Sequence, residues 1–267
     1  MSYEIKTVQL PEYSMNYFGF GTGKKTMVIL PGLSVQSVMA SADAIAQAYD
    51  IFASEYTVYV FDRRNELSEA YSIHQMADDT AEAMKVLGLE KIHLFGASQG
   101  GIMSLLIASS YPELVSKIVV GSAACRVNKF MKKTVGSWIK LAEKGDAVAL
   151  YLDFGEKIYP KAAFDSFKDM MIQAGQSVTA EELTRFVIMA KSMNGLDIRE
   201  EIKNIACPIL ILGAKDDAVL GSGAYKELAE CLPEAEMFVY DGYGHAAFDM
   251  APDYKQRIYR FFEGKIG

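Results

Sequence analysis

A chain of 267 residues with 51% hydrophobic content has material for a substantial core, and its length suits one large unit carrying insertions. Its formal charge of −7, with no long run of lysine or arginine, argues against a nucleic-acid partner or an anionic membrane surface. The start, Met1-Ser2-Tyr3-Glu4-Ile5-Lys6, lacks a signal-peptide pattern, and no apolar stretch is long enough to cross a bilayer, so a soluble cytoplasmic protein is expected.

In chain order, residues 3–10 and 13–20 are aromatic, partly alternating segments separated by Pro11-Glu12, which predicts an antiparallel pair at a sheet edge. Residues 26–30 form a short continuous apolar run, the mark of a strand covered on both faces, and end in Pro31-Gly32-Leu33. A helical pattern covers 37–52. Residues 56–61 predict the next buried strand, followed by Asp62-Arg63-Arg64-Asn65-Glu66. Ser72-Ile73-His74-Gln75 reads as a capping box that starts a helix closed by Gly88.

Residues 92–101, Ile-His-Leu-Phe-Gly-Ala-Ser-Gln-Gly-Gly, combine an apolar run with a serine framed by Gly96 and Gly100. A helix follows, with Ile102, Leu105 and Leu106 at helical spacing up to Tyr111-Pro112. A serine at the apex of so tight a turn has strained dihedrals, and neighbours without a Cβ let strand and helix approach. The helix N-terminus would point backbone N–H groups at developing negative charge.

Residues 117–120 predict a further strand, so strands and helices alternate as in a parallel sheet. From 122 to 204 no strand pattern appears and helical stretches follow one another, with Thr179-Ala180-Glu181-Glu182 as a second capping box. The expected domains are a core of 1–121 and 205–267 and a helical lid of 122–204. Residues 208–212 and 237–240 predict the last strands, and 252–262 a closing helix with Pro252 in its first turn.

Gly96-Ala97-Ser98-Gln99-Gly100-Gly101 resembles the nucleophile elbow of the α/β-hydrolase superfamily. The resemblance implies an α/β fold, a mostly parallel twisted sheet flanked by helices, with an inserted helical lid. It implies Ser98 as nucleophile, backbone N–H groups of Leu33 and Gln99 as oxyanion hole, and the chain order Ser, Asp, His. Of three histidines, His74 falls on an amphipathic helix and His93 inside the elbow strand, where structural roles are expected. His245 lies in Asp241-Gly242-Tyr243-Gly244-His245, a glycine-loosened loop after a strand, and is the expected base. The orienting acid comes from Gly213-Ala214-Lys215-Asp216-Asp217: the family's spacing favours Asp216, with Asp217 as the alternative. Asp62 is out of order and is expected to pair with Arg64.

Two departures stand out. Relatives often have histidine before the glycine of the oxyanion loop, where this chain has Pro31. Asp62, Arg64 and Ser68 match a motif whose glycine-bearing middle is replaced by Asn65, Glu66 and Leu67.

The expected activity is a cofactor-free serine hydrolase, a carboxylesterase acting on a small acyl substrate through an acyl-enzyme. The same triad also supports a C–C bond hydrolase, lactonase, thioesterase or acyltransferase, and a slow ligand receptor is the reading from another class. A dehalogenase is disfavoured, because it carries aspartate at the elbow. Three cysteines without a C-x-x-C pair and three scattered histidines suggest neither a disulfide framework nor a metal site. Aromatic and methionine side chains between Phe130 and Met193 are candidates for an apolar pocket.

Overall fold

The structure is a computed structural model, and it describes residues 3–265. Eight strands form one sheet: β1 Lys6–Gln9, β2 Ser14–Phe20, β3 Lys25–Leu30, β4 Tyr56–Arg64, β5 Ile92–Ala97, β6 Val115–Gly121, β7 Ile209–Ala214 and β8 Glu236–Tyr240. Their order is β1-β2-β4-β3-β5-β6-β7-β8, antiparallel at β1/β2 and β2/β4 and parallel elsewhere. The opening pair therefore lies at the sheet edge, as the aromatic alternation requires.

The core helices are α1 Ala42–Ala48, α2 Ile73–Val86, α3 Gln99–Ser110, α8 Ala224–Cys231, the short α9 Ala247–Met250, and α10 Tyr254–Phe262. Between β6 and β7 the chain is helical: α4 Lys129–Glu143, α5 Ala147–Ile158, α6 Lys161–Ser177 and α7 Ala180–Lys191. Alternation along the strands fills both faces of the sheet. Val28, Leu30 and Leu94 pack with Met76 of α2 and Leu105 of α3 in one cluster. Met27, Ile29 and Phe95 pack with Ala46 of α1 and Ile258 of α10 in the other. Burial on both faces is why these strands read as unbroken apolar runs.

Both capping boxes form, at Ser72/Gln75 and Thr179/Glu182, and Gly88 ends α2 with φ +70°. Of the boundaries that differ from expectation, three have a cause in the structure. The helix expected over 37–52 is broken into a 3-10 turn at Val38–Ser41, α1, and a second 3-10 turn at Asp50–Phe52. Ser37 accepts from Met39 N and donates to Asp62, and such local bonds compete with an α-helical start. β4 runs three residues further than its apolar stretch, because Arg64 still pairs with Met15 of β2. α10 begins after Pro252 rather than around it. Ala251, preceding proline, is held extended, and Pro252-Asp253 form a turn.

Candidate active site

β5 delivers Ser98 to its C-terminal end, where φ 54° and ψ −119° place it in a backbone region that side-chain-bearing residues avoid. Such strain costs about 1–3 kcal/mol and persists only where the surroundings impose it. Here they do: Ser98 N–H donates to Gly121 O at 2.8 Å, and a Cβ on Gly96 or Gly100 would overlap the backbone of Gly100 or Leu30 respectively. Ser98 stands immediately before α3, so first-turn N–H groups without intrahelical partners surround it.

Gly32 packs against the serine. A Cβ there would lie 3.1 Å from Ser98 Cβ, tight enough to push the loop away. The backbone N–H groups of Leu33 and Gln99, the expected oxyanion donors, have no acceptor among the described residues.

His245 is buried in the 3-10 turn Gly244–Ala246, reached through Gly242 and Gly244 at positive φ. Its backbone oxygen accepts from the buried Ser122 hydroxyl at 2.8 Å. Its Nδ1 lies 2.8 Å from Asp217 Oδ2. With Nδ1–H donating to that carboxylate, Nε2 is the free base nitrogen.

The carboxylate at His245 is thus Asp217, and the expectation for Asp216 is corrected. Lys215 N–H still pairs with Tyr240 O, after which the chain turns. Asp216 is left exposed, accepting from Gly244 N at 3.0 Å, while Asp217 is carried inward. Asp217 Oδ1 accepts from Val219 N and Leu220 N, both at 2.8 Å. Burial alone would raise this carboxyl, but the His245 ring and the two N–H groups outweigh it and hold it below the ordinary aspartate value.

Ser98 and His245 line one cavity of about 450 Å³, with no hydrogen bond between them among the described residues. Such bonds are often long before substrate enters and tighten with it. Part of the cavity wall is apolar, made by Ile102, Met131, Val135, Trp138, Met193 and Leu220. Of the other candidates between Phe130 and Met193, Phe186 and Met189 are buried in the core packing, and Phe130 and Met170 are exposed.

Sequence patterns gave no hint of Arg63, which at the end of a strand resembles a surface charge. It is buried, and its Nη2 donates to Pro31 O at 2.8 Å, Gln99 Oε1 at 2.9 Å and, more weakly, Gly32 O at 3.4 Å. One guanidinium therefore ties the Leu33 loop to the residue after the serine. Gln99 Nε2 in turn donates to Met189 O of α7 at 2.9 Å.

The expected Asp62–Arg64 pair is also corrected. Asp62 accepts from Ser37 and from Arg63 N and lies 3.7 Å from Arg185 of α7. Arg64 lies 3.6 Å from Asp79 and stacks over Tyr71 at 4.4 Å. Arg185 reaches across because it donates to the carbonyls of Arg63, Arg64 and Asn65.

His74 is exposed beside Glu201, and His93 bonds Tyr56, so neither joins the site. Among the described residues no group of three or more His, Cys, Asp or Glu side chains is placed to hold a metal ion, and no helix is long and apolar enough to cross a membrane.

The sheet order, the strained serine at a strand-to-helix turn and the Asp-bonded histidine in a later loop define the chain as an α/β hydrolase. It belongs to the family described as serine aminopeptidase, S33, whose model matches residues 22–249. Among curated proteins it is 23% identical over 257 residues to "Putative carbamate hydrolase RutD" of Caulobacter sp. (strain K31), covering 92% of this chain and 94% of that protein. Among solved structures it resembles MGS-M2, an alpha/beta hydrolase enzyme from a Medee basin deep-sea metagenome library, with TM-score 0.86, 21% identity and 98% of each chain covered. It also resembles the enol-lactonase from Burkholderia xenovorans LB400, with TM-score 0.83, 14% identity, and 97% and 100% of the two chains covered.

Proposed function

We propose that this hydrolase cleaves a carboxylic ester or a related acyl compound through a serine acyl-enzyme, with Ser98, His245 and Asp217 as its triad. The observation that carries the reading is Ser98, in its strained turn, facing the same cavity as a histidine whose Nδ1 is held by a buried carboxylate.

In this scheme His245 Nε2 takes the Ser98 hydroxyl proton as Oγ attacks the acyl carbon. Asp217 keeps the tautomer and stabilises the imidazolium. The oxyanion of the tetrahedral intermediate is met by the Leu33 and Gln99 N–H groups, each such donor being worth about 2.7–4 kcal/mol. The leaving group receives the proton from His245 and departs, and water attacks the acyl-enzyme by the same relay in reverse. The apolar wall suits an acyl or alcohol chain. The names of the relatives, "Putative carbamate hydrolase RutD" and enol-lactonase, also denote cleavage of acyl compounds, which supports the class. No cofactor enters this scheme.

Replacing Ser98 with Ala is expected to lower turnover of a p-nitrophenyl ester by at least about 10³-fold without loss of fold. A panel from short to medium acyl chains, with a lactone and a thioester, would rank the substrates. Hydrolysis by Ser98→Ala at the wild-type rate would contradict the proposal.

A further inference from the structure

The cavity that holds Ser98 has one acidic side chain besides its apolar wall. Asp249 stands on α9, four residues after His245, and is the only Asp or Glu among the described residues lining the cavity, which no lysine or arginine lines. Its Oδ2 accepts from Tyr159 Oη at 3.1 Å, and Tyr159, the residue after α5, lines the same cavity. The carboxylate makes no ion pair among the described residues, and Oδ1 has no donor there.

Lys255 is the nearby cation, but its ammonium is committed elsewhere. It donates to the backbone oxygens of Phe248 at 2.6 Å and Asp249 at 3.3 Å. Crowding by protein raises the Asp249 carboxyl above its usual value, while Lys255, Tyr159 and His245 oppose that rise. Asp249 is exposed at the cavity, so water meets its free oxygen until a ligand group takes that place. The group that does so best is a cationic donor, since a charge-assisted bond is about twice as strong as a neutral one. An anionic substrate would meet repulsion at the same wall.

We propose that Asp249, positioned by Tyr159, is a subsite for a protonated amine, so that the preferred substrate is an acyl compound carrying an ammonium group near its scissile bond. The proposal rests on the serine-hydrolase reading for the reaction, but the subsite is a binding property and is tested as one. Asp249 acts on specificity and has no part in the proton relay.

The test uses Ser98→Ala protein, in which binding is separated from turnover, and two pairs of matched esters measured by calorimetry. One pair is 3-(dimethylamino)propyl butyrate and 4-methylpentyl butyrate, identical in shape with N–H⁺ replaced by C–H. The other moves the amine to the acyl side: methyl 4-(dimethylamino)butyrate and methyl 5-methylhexanoate. Adding Asp249→Asn is expected to weaken the ammonium member of at least one pair by about tenfold or more, and its neutral partner by less than about twofold. Asp249→Ser serves as the second variant if the first is unstable.

Equal changes in both members of both pairs, or no binding of either ammonium ester to the Ser98→Ala protein, would overturn the subsite. Wild-type hydrolysis of the neutral esters, and its dependence on Ser98, reports separately on the serine reading.

Discussion

At the scale of single residues, the two neighbouring aspartates after β7 separate the histidine's partner, the proposed orienting acid, from a loop brace. Asp217 is buried, bonded to His245 Nδ1 and fixed by two backbone N–H groups, whereas Asp216 is exposed and holds only Gly244 N. Asp217→Asn removes the charge that stabilises the imidazolium and favours the wrong tautomer, so kcat on a small ester is expected to fall by about 10⁴-fold. Asp216→Asn keeps an oxygen for Gly244 and is expected to cost less than about tenfold. Steady-state kinetics of the two variants side by side checks the assignment, and the reverse ranking would refute it.

Spacing along the chain favoured Asp216, whereas Asp217 is the one bonded to His245, because the choice depends on where the strand ends. Lys215 continues the β7/β8 pairing by one bond, and that residue sets which of the next two side chains turns inward. The strained turn at Ser98 was legible for the opposite reason: it needs Gly96 and Gly100, and both are written into the sequence. The place of His245 was legible because histidines are few and only one follows a strand end in a glycine-loosened loop.

At the scale of elements, the loop after β3, which carries the proposed oxyanion donor Leu33, is tied to β4. Arg63 at the end of β4 holds Pro31 O, Gly32 O and Gln99 Oε1 together, and Arg185 of α7 holds the neighbouring carbonyls of Arg63, Arg64 and Asn65. Arg63→Met keeps an apolar stem and strips the buried Gln99 Oε1 and the part-buried Pro31 and Gly32 oxygens of their donor, at about 1–3 kcal/mol for a buried group left unsatisfied. The expected result is a lower midpoint in urea. On a small ester kcat should fall by about tenfold or more, while KM changes by less than about threefold. A fall in stability with kcat unchanged would mean that Arg63 supports the fold without positioning the loop.

Inner strands such as β3, β5 and β7 were legible because burial on both faces makes apolar runs, and α2 and α7 because their capping boxes are local. What escaped was non-local. The extension of β4 comes from pairing with β2, and the partners of Asp62 and Arg64 come from α7 and α2, which no nearby spacing encodes.

At the scale of the whole molecule, one end of the sheet carries the candidate site and the other a structural network that titrates. His93 near the start of β5 bonds the Tyr56 hydroxyl at 3.0 Å, which donates to Glu263 at the end of α10, itself paired with Lys25. Burial, together with Lys117 and Lys25, pulls the His93 value down to about 4. The unfolded chain takes up that proton near pH 6.5, so between about 6.5 and 4 the unfolded state binds more protons and stability falls as pH falls. This contribution is fully present above pH 6.5. His93→Gln, which cannot take up a proton, is expected to show a shallower drop in Tm from pH 6.5 to 4.5 than the wild type. Parallel curves would exclude His93 as the source.

The proposed chemistry needs Ser98 as a nucleophile that His245 and Asp217 activate from the far end of the chain. The most direct measurement is covalent capture with a fluorophosphonate, followed by peptide mass spectrometry and labelling rates. One adduct per chain on Ser98 is predicted, formed far more slowly in Asp217→Asn and at close to the wild-type rate in Asp216→Asn. An adduct on another residue, or capture of Asp217→Asn at the wild-type rate, would contradict it.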